Sequence, residues 1–387
     1  MPQKHKQAPA YPLMNSNNSK PKQKAHFSML KLIQQERNLL LGLAIAFLAY
    51  SFEHSLLHSG QTTALISGIF LIGAIVLVSM RVAHHAEMLA EKVGEPYGTM
   101  LLTISAVLVE VVILSIMMSH GSSPTLARDT IYSAVMLDIN GILGIAAIIG
   151  GLKYGEQKYN VDSGNTYVIM ILTAMGVSMM IPEFIPATSW QTYSIFSIVI
   201  MIFLYGMFLK LQTTNHSYFF SFSYAETGSK SHHAHPGKTS HSAMLLISGL
   251  VIIGALAEVM SQTLTVGTTG MGIPPVFFAI IVAGISASPE ILTAFRAALA
   301  NRMQPVVNIA LGASLSTVVL TVPVIEFMAL MNDQPIIMAL TPTQTIMAFL
   351  TLIITGINLH DGETNAIEGT THFVLFATFI MLAFLGL

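Results

Sequence analysis

The sequence predicts an all-α integral membrane protein with about eleven transmembrane helices. Two observations lead to this prediction. Of the 387 residues, 53% are hydrophobic and only 9% are charged, and the mean hydropathy is +0.67. A typical soluble domain has about 25% charged residues, so this chain has too little charge to cover its apolar surface in water. The composition therefore excludes a cytosolic globular enzyme.

Two further classes of chemistry are excluded by composition. The formal net charge is −2, whereas nucleic acids are bound by basic surfaces, so no nucleic-acid partner is expected. The chain contains no cysteine, and this excludes disulfide bonds and thiol chemistry.

Segments of mostly apolar residues recur along the chain at the length of about 20 residues that crosses a bilayer. The eleven predicted spans lie near residues 39–57, 62–82, 98–118, 130–151, 166–185, 192–211, 243–264, 276–297, 306–330, 335–356 and 370–387. The region before them is polar and lysine-rich, without the apolar core of a signal peptide. This composition predicts a disordered cytosolic tail over 1–37, and a leading helix is predicted to follow within 38–61.

The placement of Lys and Arg predicts the orientation, because these residues concentrate in cytoplasmic connections. Sixteen of the 17 positive residues lie in the tail or in alternate connections on its side. They are Lys4, Lys6, Lys20, Lys22, Lys24, Lys31, Arg37, Arg81, Lys92, Lys153, Lys158, Lys210, Lys230, Lys238, Arg296 and Arg302. Only Arg128 falls on the other side. The pattern predicts a cytoplasmic N-terminus and, with eleven spans, a C-terminus on the opposite side.

The odd number of spans predicts a leading helix followed by two five-helix repeats, over 62–211 and 243–387. A repeat with an odd number of helices inverts the next copy, as in many secondary transporters. The connection 212–242 is predicted to be a flexible cytosolic linker, because it is rich in Ser, Thr, Gly and His. Its histidines are His216, His232, His233, His235 and His241. They indicate either a solvated low-complexity linker or a sensor of pH or metal, since imidazole titrates near pH 6.5.

Four acidic residues are predicted at membrane depth: Glu110, Asp138, Glu258 and Glu290. Each costs about 2.5–3.5 kcal/mol on insertion scales, so such residues usually have a function. Glu110 and Glu290 lie in equivalent spans, and small or polar residues precede both at the same 4, 3, 4 spacing. The two sets are Thr99, Thr103, Ala106, Glu110 and Ala279, Ala283, Ser286, Glu290. Each set lies on one helical face, which predicts a cavity shared by both glutamates. The alternative is a structural hydrogen bond to a neighbouring helix.

A set of auxiliary polar residues is predicted around the two glutamates. It comprises Thr103, Asp138, Glu258, Ser286, Ser288, Asn308, Ser314 and Thr317. Asp138 and Thr317 are 179 residues apart and the two glutamates 180, so they are counterparts in the two repeats. We expect Asp138 and Glu258 to tune affinity, proton coupling or gating, with a helix-to-helix hydrogen bond as the alternative for each. Pro289 frees the carbonyl of Ile285, which is a further oxygen that can coordinate a cation.

These oxygen ligands indicate a hard cation such as calcium or an alkali ion. Glu110 and Glu290 are predicted to bind both the cation and protons, and no cofactor is expected. Zinc would require His or Cys within the spans, and the histidines are expected to cluster elsewhere.

Two carboxylates in an apolar site repel each other. Two protons, one Ca²⁺, or a monovalent ion with one proton neutralise them. The empty, doubly charged site is costly to move past a hydrophobic gate, so protons and cations should compete for the loaded state. This predicts antiport. The alternative is an uncoupled cation channel, although a channel would be expected to show a filter or charged ring. No nucleophile and base of an intramembrane enzyme appear in the spans.

Several stretches around these residues are similar to those of a known transporter family. They are Gly94–Thr99 running into Glu110, Pro124–Ser133, Ser288–Met303, Asn308–Ser314 and Thr321–Pro323. On these stretches, residues 40–387 resemble the calcium/cation antiporter superfamily, and within it the ChaA-type bacterial cation/proton antiporters.

The resemblance implies a midplane cation site between two repeats, with the family's two repeat glutamates at Glu110 and Glu290. It implies exchange of Ca²⁺, Na⁺ or K⁺ for protons in a bacterial inner (plasma) membrane, with lipids and inorganic cations as partners. A monomer and a homo-oligomer both remain open. Many calcium/proton exchangers have Gly-Asn-x-x-Glu in both repeats. This chain has Ala106-Val107 and Ser286-Ala287 at the Gly-Asn positions.

Overall fold

The computed structural model describes residues 34–94, 97–119, 123–213, 239–332 and 336–387. Within them the chain is helical apart from connections and one short pair of strands. The helices are α1 (Arg37–His58), α2 (Gln61–Val93), α3 (Tyr97–Ser119), α4 (Leu126–Tyr154), α5 (Val161–Phe184), α6 (Trp190–Thr213), α7 (Thr239–Thr268), α8 (Val276–Ser286), α9 (Ser288–Leu299), α10 (Met303–Met331), α11 (Pro342–Asn358) and α12 (Ala366–Phe384). The strands are β1 (Gln157–Lys158) and β2 (Glu363–Thr364).

The structure confirms the predicted all-α membrane architecture. In the described residues nine helices are long and apolar enough to span a membrane, or ten if α8 and α9 form one span. The count of eleven therefore stays a prediction. The tail before residue 34 and the linker residues 214–238, with four of the five linker histidines, lie outside the described residues. His241 lies in the first turn of α7.

Two predicted spans differ in detail from the helices observed. The span predicted at 276–297 is broken at Ala287, where α8 and α9 meet at a bend of 58°. The span predicted from residue 335 begins at Pro342 in α11, which has 17 residues. Thr341 is the N-cap of this helix, and its hydroxyl accepts a hydrogen bond from the Gln344 backbone amide in a capping box. Proline next to such a cap favours a helix start at that point.

Among the described helices the most extensive contact joins α2 and α7, which are the first helices of the two predicted repeats. Glycines let the two backbones approach closely. A Cβ atom at Gly267 would lie 2.6 Å from the Leu65 Cα, and one at Gly249 would lie 2.4 Å from the Val82 side chain. Small residues are typical of close helix contacts in membranes. This contact therefore joins the two halves along the length of their longest helices.

An ion pair attaches the leading helix to α2. The Glu36 carboxylate, just before α1, accepts hydrogen bonds from Arg81 Nε at 2.8 Å and Nη2 at 2.5 Å. His85 Nε2 lies 3.1 Å from the same carboxylate. Burial alone would raise the pKa of Glu36, but the hydrogen bonds from Arg81 and His85 outweigh it and lower the pKa. The acid is thus charged where α1 meets α2.

Two π-helical segments occupy corresponding places in the two halves. One runs from Met136 to Leu143 within α4, and the other from Thr317 to Thr321 within α10. Asp138 lies in the first and its predicted counterpart, Thr317, begins the second. Inserted π-turns often mark functional sites in helices. A third π-turn, Gly176–Met180, lies near the end of α5.

Contacts near the linker side tie the first half to the end of α9. β1 pairs with β2 in antiparallel register, with Lys158 opposite Glu363 and their side chains 2.9 Å apart. Next to this pair, Gln157 Nε2 donates to Ala298 O at 3.2 Å and to Asn301 Oδ1 at 3.0 Å. These bonds fix the C-terminal end of the helix that carries Glu290.

At the other end of α4, Arg128 is buried and bonded to neighbouring protein groups. It is 9% exposed, pairs with Asp129 at 2.8 Å and donates to Ala339 O at 3.1 Å. Gln344 also donates to Asp129, at 3.0 Å. Arg128, the one positive residue predicted on the side opposite the linker, thus anchors the segment before α11.

We predict that single introduced cysteines report the sidedness of the chain, since the sequence contains none. Ser240→Cys lies at the start of α7, Ser189→Cys between α5 and α6, and Leu387→Cys at the chain end, all at exposed positions. A membrane-impermeant maleimide should label Ser240→Cys in everted vesicles, and the other two in intact spheroplasts. Labelling of Leu387→Cys on the same side as Ser240→Cys would contradict the predicted orientation.

Candidate ion-binding site

A wide cavity of about 840 Å³ leads into the helical bundle. Its walls come from α2, α3, α5, α6, α9 and α10 and from the end of α8, and they carry both polar and apolar side chains. Thr213, the last residue of α6 before the linker, is part of the lining, and so is Glu290. The cavity therefore opens on the linker side and extends to one of the two predicted key glutamates.

A second, much smaller cavity of about 20 Å³ adjoins it. Three carboxyl groups line this space: Glu110 from α3, Asp138 from α4 and Glu290 from α9. Its volume is about that needed for one water-sized particle. Ser286 and Glu290 line both cavities, so the small cavity lies at the inner end of the wide one.

Glu110 is held by hydroxyl groups from the other half of the protein. Its side chain is 2% exposed, and its Oε2 accepts hydrogen bonds from Thr317 and Thr321, both at 3.1 Å. Both threonines belong to the π-helical segment of α10. A π-turn has more than four residues, so residues four apart lie nearly on one face. The segment therefore presents two donors to one carboxylate oxygen. Within the described ranges of the chain, Glu110 Oε1 has no hydrogen-bond partner.

At Asp138 it is the acid, and not its hydrogen-bond donor, that lies in a π-helical segment. It lies in the π-helical segment of α4, is 2% exposed and accepts a hydrogen bond from Ser314 of α10 at 3.2 Å. Coulombic interactions link Asp138 with Glu290 and Glu110, and Glu290 with Glu110. The three acids thus form one electrostatically coupled group, in which an added positive charge affects all of them.

Glu290 lies in the first turn of α9, immediately after the bend. A negative side chain is favoured at this helix end by the helix dipole. The Ile285 carbonyl, which Pro289 leaves without its helical donor, accepts a hydrogen bond from Ser288 Oγ at 2.8 Å. Ser286 Oγ donates to Ala283 O at 3.0 Å. In this conformation Ser288 therefore satisfies the carbonyl that the proline frees, whereas the Ala283 carbonyl also keeps its helical bond from the Ala287 amide at 2.9 Å. Coordination of a cation by the Ile285 carbonyl remains a prediction.

The other predicted residues lie in three different places. Thr103 and Asn308 line the wide cavity, and Asn308 Oδ1 accepts a hydrogen bond from Gln304 at 2.8 Å. Thr317 lines the small cavity and bonds Glu110. Glu258 lines neither cavity and accepts a short hydrogen bond from Tyr50 of the leading helix. The structure thus brings together the two glutamates, Asp138, Ser286, Ser314 and Thr317, but not Glu258.

Two features were absent from the predicted site. Thr321 was not included among the ligands, although its four-residue spacing from Thr317 was visible in the sequence. The expectation that histidines lie outside the spans is wrong for His372, which is 2% exposed within α12. Its Nδ1 lies 3.1 Å from Asn140 Oδ1, and Asn140 donates to Thr351 Oγ1 at 2.8 Å. This network supports the π-helical segment that carries Asp138.

The donor set of the small cavity is oxygen-rich, with carboxyl and hydroxyl groups. Such ligands suit hard cations and protons. In the part of the chain that the structure describes, no three His, Asp or Glu side chains form a ready-made metal cluster. The acids are coupled by charge but are not arranged as a closed coordination shell in this conformation.

Comparisons with known proteins agree with this architecture. A family model described as sodium/calcium exchanger protein matches residues 62–214 and 241–385. The sodium-potassium/proton antiporter ChaA of Escherichia coli is 32% identical over 335 residues, which are 84% of this chain and 91% of that protein. The Ca(2+)/H(+) antiporter of Aphanothece halophytica is 24% identical over 334 residues, 81% of this chain and 88% of that one.

Solved structures share the fold at low sequence identity. Native YfkE superposes with a TM-score of 0.72 and 19% identity, covering 90% of this chain and 99% of its own. The H+/Ca2+ exchanger CAX has a TM-score of 0.59 and 15% identity, covering 90% of this chain and 88% of its own.

Proposed function

The chain belongs to the sodium/calcium exchanger family, and on this premise we propose that it is a secondary active cation/proton antiporter. It exports Ca²⁺, Na⁺ or K⁺ across the plasma membrane in exchange for H⁺. The observation that supports this proposal is the convergence of Glu110, Asp138 and Glu290 on one small cavity. The named relatives include antiporters for both kinds of cation.

Charge neutralisation explains why cations and protons exchange at one site. Carboxylates without compensating charge are costly in a low-dielectric interior. A cation that enters through the wide cavity offsets the negative charge of Glu290 first and then that of Glu110. Protons offset the same charge when the cation leaves. Because both ligands use the same carboxyl oxygens, one displaces the other.

Alternating access requires parts of the helices that can change shape. The bend at Ala287 and the π-helical segments of α4 and α10 are the candidates, because their backbone bonding is already irregular. The wide cavity opens the site to the linker side in this conformation. Movement of α8 and α9 about the bend, together with relaxation of the π-turns, would close it and open the other side. With an inward proton gradient the net result is cation export.

Selectivity among cations is proposed to depend on the number of oxygen ligands. Ca²⁺ takes about 6–8 oxygens. Val107 and Ala287 stand where many calcium exchangers that this chain resembles have asparagine, and both apolar side chains line the small cavity. The cavity therefore offers fewer oxygens than a site with two additional amides.

We predict that Glu110→Gln and Glu290→Gln each reduce cation/proton exchange by about 100-fold or more, since loss of one charge should cost several kcal/mol of coupling. The measurement is cation flux into proteoliposomes driven by a proton gradient, with Ca²⁺, Na⁺ and K⁺ in turn. Glu183→Gln, at an exposed acid of α5, is the control and should retain activity.

Normal exchange in either well-inserted glutamine variant would contradict the proposed site. Electrical conductance without proton coupling would instead support the channel alternative. Glu110→Asp and Glu290→Asp should retain part of the activity, because the charge remains while the oxygens are withdrawn by about one methylene length.

Another prediction concerns the selectivity among cations. The double variant Val107→Asn with Ala287→Asn should bind Ca²⁺ several-fold more tightly relative to Na⁺, because two amide oxygens are added. Competition of each ion in the same proteoliposome assay measures the ratio. The matched control is Val107→Leu with Ala287→Leu, which changes volume without adding oxygen. An equal ratio in the two double variants would show that ligand number does not determine selectivity here.

A further inference from the structure

Besides the three acids that line the small cavity, α10 carries a buried acidic side chain of its own, Glu326. Glu326 is 2% exposed, and its Oε2 has no hydrogen-bond partner among the residues that the structure describes. In the described part of the chain, no Lys, Arg or His forms an ion pair with it. A carboxylate in this position is costly unless a proton or cation neutralises it. The site described above gives Glu326 no role.

The position of Glu326 along α10 places it beyond the ion site. Thr321, which donates to Glu110, lies five residues before it, and Met331, the 70% exposed last residue of α10, lies five residues after it. At 1.5 Å per residue, each step is about 7.5 Å along the helix axis. Pro305, at the start of α10, lines the wide cavity on the linker side. Glu326 is therefore midway between the Glu110 contacts and the end of α10 opposite the linker.

The neighbours of Glu326 are hydroxyl groups rather than cations. Ser194 and Ser197 of α6 lie beside its carboxyl group, close enough to donate hydrogen bonds to it, and both are buried. Tyr193 of α6 is the titratable neighbour, and its hydroxyl already donates to Val177 O at 2.6 Å.

Two other elements pack against this part of α10. From α3, Ser115 Oγ contacts Met328 Sδ at 3.4 Å, and the acid on that helix is Glu110. The π-helical segment of α10 itself contributes Thr321. The groups around Glu326 can thus accept and pass on a proton, but none of those described offers a permanent positive charge.

We propose that Glu326 is an additional proton-binding residue outside the ion site, which transfers protons between the Glu110 site and the side opposite the linker. The proposal rests on the proposed proton-coupled exchange. The Glu326 carboxylate takes a proton from water on that side and becomes neutral. It then passes the proton towards the Glu110 carboxylate through hydroxyls or water and regains its charge. The reverse sequence releases a proton to that side.

The substitution Glu326→Gln separates this role from a structural one. Glutamine has nearly the same shape and can bond the two serines, but it cannot bind or release a proton in this way. A purely structural carboxyl group would therefore be replaced with little effect. A proton-transfer residue would lose its function although the protein still folds and inserts.

The experiment uses the full-length protein in everted vesicles, with the linker side outside and the pH of each side set independently. The exchange rate of the wild type should depend on the pH inside the vesicles, the luminal pH, which is the pH on the side opposite the linker. The Glu326→Gln substitution should lower the exchange rate by about tenfold or more, as expected when one proton-transfer group is removed. It should also remove most of the dependence of the rate on the luminal pH. The variant's half-saturating cation concentration on the linker side should stay within about twofold of wild type, since the cation ligands are unchanged. Glu183→Gln, an exposed acid near the luminal end of α5, is the control.

Unchanged rate and luminal pH dependence in Glu326→Gln would overturn the proposal while leaving antiport intact. A changed cation affinity at unchanged luminal pH dependence would also overturn it. Absence of proton-driven exchange in wild type would overturn the proposed function as well. If the glutamine variant is not recovered in the membrane, Glu326→Asp takes its place. That variant keeps the acid and should shift the luminal pH profile, and an unshifted profile would count against the proposal.

Discussion

Negative charge buried inside the helix bundle is the constraint that shapes this structure. Three carboxyl groups converge on a cavity of about 20 Å³. The described residues place hydroxyl groups beside two of them, with Thr317 and Thr321 on Glu110 and Ser314 on Asp138. Hydroxyl donors reduce the cost of a buried carboxylate but do not cancel its charge. The remaining cost is a driving force for binding protons or cations.

The hydrogen bonds at the acids also connect the two halves of the protein. Threonines and a serine of α10, in the second half, hold acids on α3 and α4 of the first. The donors can reach these acids because α10 and α4 each widen into a π-turn at the level of the site. The close contact of α2 with α7 and the bonds of Gln157 to the end of α9 hold the surrounding frame. Irregular helical segments thus lie inside a closely packed scaffold.

The sequence predicted the membrane class and the pairing of Glu110 with Glu290, because apolar length and matched spacing are local signals. Ser314 and Thr317 were also included among the predicted residues, and the structure places both beside the acids. The break at Ala287, the late start of α11 and the π-turns were not predicted, since they arise from packing between distant helices. The same reason explains Glu258, which was predicted from its depth alone and pairs with Tyr50 instead. His372 was missed because a single histidine in an apolar helix carries no periodic signal.

If protons and the transported cation share the same carboxyl groups, binding of the cation must release protons. Isothermal titration of the purified protein with Ca²⁺ or Na⁺, in buffers that differ in ionisation enthalpy, measures that release. We expect a binding heat that changes with the buffer, and loss of this change when Glu110 and Glu290 are both replaced by glutamine. Binding with a heat independent of the buffer, across the pH range in which exchange occurs, would contradict this shared use of the carboxyl groups.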